Sequence, residues 1–190
     1  MKAWHFLPAD KRLSNGDGRL VQVGKWYKVK GEVEVCHNAM HAGRTVMSAL
    51  EYAPGPVICR VEMAEPVEWK SCGVICYSAG RKVLWMYDAS RVLHEFACRC
   101  AEDALALSES PDPRSLEAVR VKRLWLRGEA TDKELAAARA AARAATWAAW
   151  DAAWDAARAA AWDAWDAAWD AARDAQNRRL TAMIVRNRPS

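Results

Sequence analysis

Cys36, His37 and His41 fall within six residues, and a thiol beside two imidazoles is the raw material of a zinc site or of a cysteine nucleophile with its base. Cys72 and Cys76 could add ligands to a tetrahedral metal. Yet paired Cys-x-x-Cys knuckles are absent, and a Cys-x-x-x-Cys step points one way only on a helix, where a strand is expected. With Tyr52, the residues Cys36 and His41 form a candidate ligand site for a small substrate or a nucleotide. The alternative reading has His41 hydrogen-bonded inside a β-rich core. No P-loop, dinucleotide-binding glycine fingerprint or His-Glu-x-x-His motif occurs. Spacing alone assembles no nucleophile, base and acid. No catalytic residue is therefore assigned, no metal or cofactor is expected, and a non-enzymatic protein is the favoured reading.

A second set of residues is suited to contact rather than reaction. Residues 146–160 (TWAAWDAAWDAARAA) and 161–175 (AWDAWDAAWDAARDA) share 12 of 15 positions, an internal repeat that 131–145 keeps more weakly. At about 100° per residue on a helix, Trp147, Trp150, Trp154, Trp162, Trp165 and Trp169 fall within about 120° of one another, with Arg158 and Arg173 in the same stripe. Asp151, Asp155, Asp163, Asp166, Asp170 and Asp174 flank it. Fifteen residues over four turns favour a gentle right-handed supercoil wherever such helices pair. The six indoles represent on the order of 1,000 Å² of mostly apolar surface, against the few hundred that a monomer usually exposes. At about 25 cal/mol per Å² the gross gain from covering them is of order 25 kcal/mol, an upper figure. A covering surface is expected: the chain's own globular part, a second copy, or a different protein.

The elements that must carry these residues follow from pattern. Ala3 to Leu7, Leu20 to Val23, Trp26 to Lys30, Val33 to Cys36 and Val57 to Met63 read as strands, with Asn15-Gly16 and Asp17-Gly18 as turn signals. Pro66 to Trp69 and Gly73 to Tyr77 read as edge strands, and Arg44 to Tyr52 as a short helix. From Asp88 the spacing of Val92, Leu93, Phe96, Ala97 and Cys100 predicts a helix over about 89–107. A second follows from Pro113 to a stop at Gly128. Thr131 and Glu134 form a capping box, after which alanine dominates and neither Gly nor Pro interrupts until Pro189, which predicts one continuous helix to about Leu180. The fold class expected is α+β: a small β-rich N-terminal domain closed by two helices (1–128), one long Ala/Trp-rich C-terminal helix carrying the 15-residue repeat (129–180), and a basic tail (181–190).

Composition narrows the partners. With 28 Lys and Arg against 24 Asp and Glu, a formal charge of +4 gives no general attraction to nucleic acid. Arg178, Arg179, Arg186 and Arg188 suit a helix C-terminus. Aspartates flanking the Trp stripe argue against an anionic lipid surface, and no membrane partner is expected. The opening MKAWHFLPADKR has no apolar run of signal-peptide length, so a cytoplasmic location with six reduced cysteines is expected.

Gly24, Tyr27, Cys36-His37-Asn38-Ala39-Met40-His41-Ala42, Ala49-Leu50-Glu51-Tyr52 and Val61-Glu62 together resemble an uncharacterised domain of phage and actinobacterial proteins. Its pattern is Gly-x-x-Tyr, Cys-x-x-Gly-(Leu/Phe)-His-Ala, an Ala-Leu-x-Tyr helix and a Val-Glu strand. Ala39 stands where that pattern has Gly, and Met40 where it has Leu or Phe, which removes a tight backbone approach expected there. Leu116 to Ala145 is similar to the alanine-rich segments of bacterial immunity proteins. These resemblances imply a phage-encoded protein directed at a host protein, or an immunity-type protein that masks a toxin; neither carries an activity. The expected function is thus protein interaction or oligomerisation through the Trp stripe, with a small enzyme or nucleotide binder around Cys36, His41 and Tyr52 as its rival.

Overall fold

A computed structural model describes residues 1–13, 18–34, 37–70, 74–143 and 162–188. The chain divides into two compact units, one of Met1–Val92 with Ala175–Ser190, the other of Leu93–Asp174.

The first unit is built on a seven-stranded antiparallel sheet. Its strands are β1 (Lys2–Leu7), β2 (Trp26–Lys28), β3 (Met40–Gly43), β4 (Val57–Met63), β5 (Glu68–Lys70), β6 (Ile75–Ser78) and β7 (Gly80–Asp88). They lie in the order β2-β7-β4-β1-β3-β6-β5. Central β4 pairs with β1 through His5↔Cys59 and its neighbours, and with β7 through Cys59↔Met86, with a register shift between Arg60 and Val61. Because side chains alternate across a strand, Ala3, His5 and Leu7 share a face with Val57, Cys59, Val61 and Met63. That face is the core: Ala3, Leu7, Tyr27, Met40, Ala42, Cys59, Val61, Met63, Cys76 and Val83 form one buried cluster.

This face is inside a curl. Arg81 on β7 donates from Nη1 to the His41 carbonyl on β3 at 2.6 Å. In the strand order β4 and β1 lie between them. Three strand spacings span about 14 Å in a flat sheet, more than a guanidinium can bridge, so the sheet must bend toward its core face. The shift at Arg60 and Val61 adds local twist of the required kind.

The opposite face is aromatic. Trp4, Arg60 and Trp85 are register partners across β1, β4 and β7. Trp4 and Trp85 meet edge to face at 5.8 Å, Trp85 stacks on Tyr87 at 6.2 Å, and the Arg60 guanidinium lies 4.5 Å from the Trp4 ring centre. Helix α1 (Val46–Glu51) starts from a capping box between Thr45 and Ser48. It comes so near β3 that a Cβ on Gly43 would stand 2.6 Å from the Ala49 backbone nitrogen.

In the second unit, α2 (Ser90–Ala106) and α3 (Pro113–Arg127) are joined by a bidentate Arg123 to Glu102 pair, with contacts of 2.8 and 2.6 Å. Asp112 caps α3, Pro113 opens it, and Gly128 ends it in the left-handed conformation at φ 77°. The capping box at Thr131 is formed, Glu134 accepting from the Thr131 N–H at 2.8 Å and Thr131 accepting from the Glu134 N–H at 3.2 Å. It opens a helix over 132–143, α4. Trp125 donates from Nε1 to Asp132 at 2.7 Å, and the Lys122 ammonium sits 3.6 Å from its ring centre.

The sheet's aromatic face meets α1 and the last turns of α5 (Trp162–Arg186), while α3 and the residues of α2 from Leu93 onward fall in the second unit. One part of the expected fold class is corrected here: the C-terminal part is not a single helix over 129–180. Its described helical residues form two elements, 132–143 and Trp162–Arg186, and the stretch 144–161 between them lies outside the described residues. Alanine propensity reports which residues tolerate a helix, not where tertiary burial claims one. Burial claims the end of α5, where Leu180 and Ile184 are fully buried. Tyr87 donates to the Ile184 carbonyl at 2.7 Å, Asn177 accepts from the Met47 N–H at 3.2 Å, and Arg188 lies over Trp85. The helix therefore runs through residues 181–186 of the stretch expected as a basic tail.

Replacing Leu180 by Ala is expected to lower the unfolding free energy of the chain by about 2–5 kcal/mol. The same change at the half-exposed Val185 is expected to cost no more than about 0.5 kcal/mol. Urea titration followed by Trp fluorescence checks both; a silent Leu180→Ala change would mean that the C-terminal turns add nothing to the sheet unit.

Candidate functional site

Among the described residues, a cluster of titratable side chains lies on the core face of the sheet. His5 on β1 and Cys59 on β4 are direct register partners, Cys76 stands on β6, and Arg81 on β7. Cys59 and Cys76 have no exposed surface, and Arg81 keeps 5% of its own.

A thiol facing an imidazole has the composition of a nucleophile with its base, but the electrostatics hold both in their neutral forms. Burial pushes the Cys59 thiol up to about 12, and the positive charges of Arg81 and Lys11 only partly oppose it. Its Sγ donates to the Val57 carbonyl at 3.7 Å. Burial lowers His5 well below the ordinary imidazole range, and the charges of Arg81 and His41 push it the same way. A neutral thiol beside a neutral imidazole is not a nucleophile poised for attack.

Arg81 is the unusual member. Its one hydrogen bond goes to the His41 carbonyl, and no ion pair among the described residues involves it. Desolvation brings it down to about 10, opposed only by the Cys59 and Cys76 thiols, so it remains a cation at neutral pH. A buried charge usually has a partner, because an isolated one is costly. No buried side-chain nitrogen or oxygen among the described residues lacks a hydrogen-bond partner. His5, Cys59 and Arg81 thus share the core face, with Cys59 on the strand between the other two.

The residues singled out from sequence are placed differently. His41 is in β3 opposite Tyr77, their ring centres 6.3 Å apart, and its backbone carbonyl accepts from Arg81. Tyr77 in turn donates to the Glu68 carboxylate. Tyr52 caps the end of α1 and is 65% exposed. Cys36 lies outside the described residues, as do Trp147, Trp150, Trp154 and Arg158. Trp162, Trp165, Trp169 and Arg173 are on α5. Among the described candidates, His41 meets this cluster through its bond from Arg81, while His5, Cys59 and Arg81 themselves were not singled out. Their one sequence signal is a polar residue at a core-facing position of an alternating strand, as His5 is between Ala3 and Leu7.

Among the described residues, no group of three or more His, Cys, Asp or Glu side chains could hold a metal ion. No described helix is long and apolar enough to cross a membrane. No protein-family model, curated protein or solved structure matches the chain.

Two outcomes follow from the neutral pair. Because the folded state holds His5 below its free value of 6.5, the unfolded chain binds more protons between those two values, and stability falls as pH drops through 6.5. The slope from His5 is at most about 1.4 kcal/mol per pH unit. His5→Gln is expected to flatten that part of a urea-monitored stability profile between pH 7 and pH 5, leaving the smaller share of His94, which burial also lowers. An unchanged slope would show that His5 protonates freely in the fold. Native protein at pH 8 is also expected to leave Cys59 and Cys76 unlabelled by iodoacetamide, both becoming reactive in urea; peptide mass mapping reads the difference.

Proposed function

We propose that the chain is a non-enzymatic interaction protein that assembles with a second copy of itself through the Trp face of its C-terminal helix. The observation that carries this reading is the register of α5. On a helix of 3.6 residues per turn, Trp162, Trp165, Trp169 and Arg173 fall within about 120° of Asn177, Leu180 and Ile184. The last three are where the helix meets the sheet unit through buried side chains and the bond to Met47. One stripe of the helix is thus a docking face at its C-terminal end, and in sequence the same spacing continues back through Arg158, Trp154, Trp150 and Trp147.

A second copy suits the composition better than an unrelated surface. Alanine around the stripe allows close backbone approach, and the indoles fill the seam. Arg158 and Arg173 within the stripe and six Asp residues beside it make the face its own charge complement. The buried thiols of Cys59, Cys76 and Cys98 suit a reducing compartment, and the cytoplasm is the proposed location.

Light scattering at micromolar concentration is expected to give a mass above that of one chain. Trp154→Asp with Trp165→Asp is expected to return it to one chain without loss of the sheet unit, read by near-ultraviolet circular dichroism. A wild type that stays at one chain across that range refutes self-assembly, and one-to-one capture of a different protein by the wild type but not by the double variant would replace the second copy as occupant.

A further inference from the structure

We propose that the cationic edge of the sheet at β2 docks on the aspartate row of the repeat helix in a second copy of the chain. The inference rests on the assembly reading and adds a second contact surface to the Trp stripe.

In the sheet order no strand lies beyond β2. The Gly24 N–H donates to the Val83 carbonyl at 2.8 Å and the Val29 N–H to the Ala79 carbonyl at 2.9 Å, so pairing with β7 extends past both ends of Trp26–Lys28. Between Gly18 and Gly31 the chain has four cations, Arg19, Lys25, Lys28 and Lys30, and no acid; all four are exposed. They gather at the edge. Arg19 and Lys25 stand 5.5 and 5.8 Å from the centre of the Tyr27 ring, and Arg19 also donates to the Lys28 carbonyl at 3.2 Å. The stem of Lys28 lies over Gly80, where an added Cβ would meet its Cγ at 3.2 Å. No ion pair among the described residues involves Lys25, Lys28 or Lys30. Lysines on an edge strand discourage the addition of another strand, so this edge suits a partner that brings side-chain carboxylates rather than a bare backbone.

The chain itself carries such carboxylates. Residues 146–175 hold six aspartates against two arginines, a net charge of −4, and since the whole chain is +4 the remainder carries +8. The arginines of the Trp stripe answer only two of those six aspartates. On a helix Asp163, Asp166, Asp170 and Asp174 fall within about 80° of one another and span about 16 Å, on the flank next to the Trp stripe. Lys25 to Lys30 along an extended edge spans about 17 Å. Length and sign both match. Exposed ion pairs add little affinity each, so the edge orients the second copy and makes its association depend on salt.

Charge exchange in the full chain tests this, with dissociation constants from sedimentation equilibrium at low salt. Lys25→Glu with Lys28→Glu and Lys30→Glu reverses the edge, and Asp163→Lys with Asp166→Lys and Asp170→Lys reverses the row. Each triple variant alone is expected to associate about tenfold more weakly than the wild type. The difference is expected to shrink at about 1 M salt, where screening acts within about 3 Å. An equimolar mixture of the two variants is expected to regain the wild-type constant, because each reversed edge then meets a reversed row; a contact within one chain gives no such recovery. If the edge variant does not fold, by near-ultraviolet circular dichroism, Lys→Gln at the same three positions is expected to weaken association and flatten its salt dependence. A wild type that stays at one chain removes the assembly reading itself. A wild type that assembles while both variants associate as tightly, or whose variants show no recovery on mixing, overturns the docking of edge on row and leaves the Trp seam standing. Binding of a labelled oligothymidylate below the concentration of assembly, lost on reversal of the edge, would overturn the second copy as occupant in favour of nucleic acid.

Discussion

The bond from Arg81 to the His41 carbonyl joins two strands that are not neighbours, and the shape of the sheet unit rests on it. β1 and β3 share only one register pair, Trp4↔Gly43, so this is the thinnest seam in an otherwise well-paired sheet. A cross-tie from β7 over the core face holds the two sides of that seam in a curl. The cost is a desolvated guanidinium, and the core accommodates it by surrounding it with neutral thiols and a neutral imidazole rather than with an acid. Strand register places His5, Cys59 and Cys76 on the same face as that guanidinium.

The two faces of the sheet solve opposite problems. Inside, a single cation is isolated in an apolar cluster. Outside, cations are shared with aromatic rings, Arg60 over Trp4 and Arg188 over Trp85, in a layer that α1 and the end of α5 cover. Lys82 beside Trp26 and Lys122 over Trp125 repeat that device elsewhere. Each such contact is worth about 0.5–2 kcal/mol.

Local signals in the sequence were strong where the chain's own neighbours decide the structure. Pro113 and Gly128 bound α3, the Thr131 capping box forms as its spacing implies, and β4 occupies Val57–Met63 as expected from its apolar run. The strands Met40–Gly43 and Gly80–Asp88 were not legible. In the latter, Val83 to Tyr87 is a run of large residues without alternation, because the strand is paired on both sides and loaded on both faces. Missing β7 meant missing Arg81. His5 and Cys59 meet only through strand pairing across more than fifty residues of chain, and His41 contributes a backbone atom that no side-chain motif can announce. Spacing in sequence brought Cys36, His41 and Tyr52 together, whereas the contacts of His41 with Tyr77 and Arg81 arise from strand pairing and tertiary folding.

The sheet unit is assembled from both ends of the chain, since residues up to Val92 and from Ala175 onward belong to it and those between do not. The helical stretch is therefore an insertion whose two junctions are both anchored on the same host. Lengthening such an insertion costs little, because closure entropy rises only by about 0.6 kcal/mol for each doubling of length. The fifteen-residue modules therefore lie between two fixed junctions rather than at a free end. The near-identity of the two tandem modules fits a segment free to vary in number while its scaffold stays fixed.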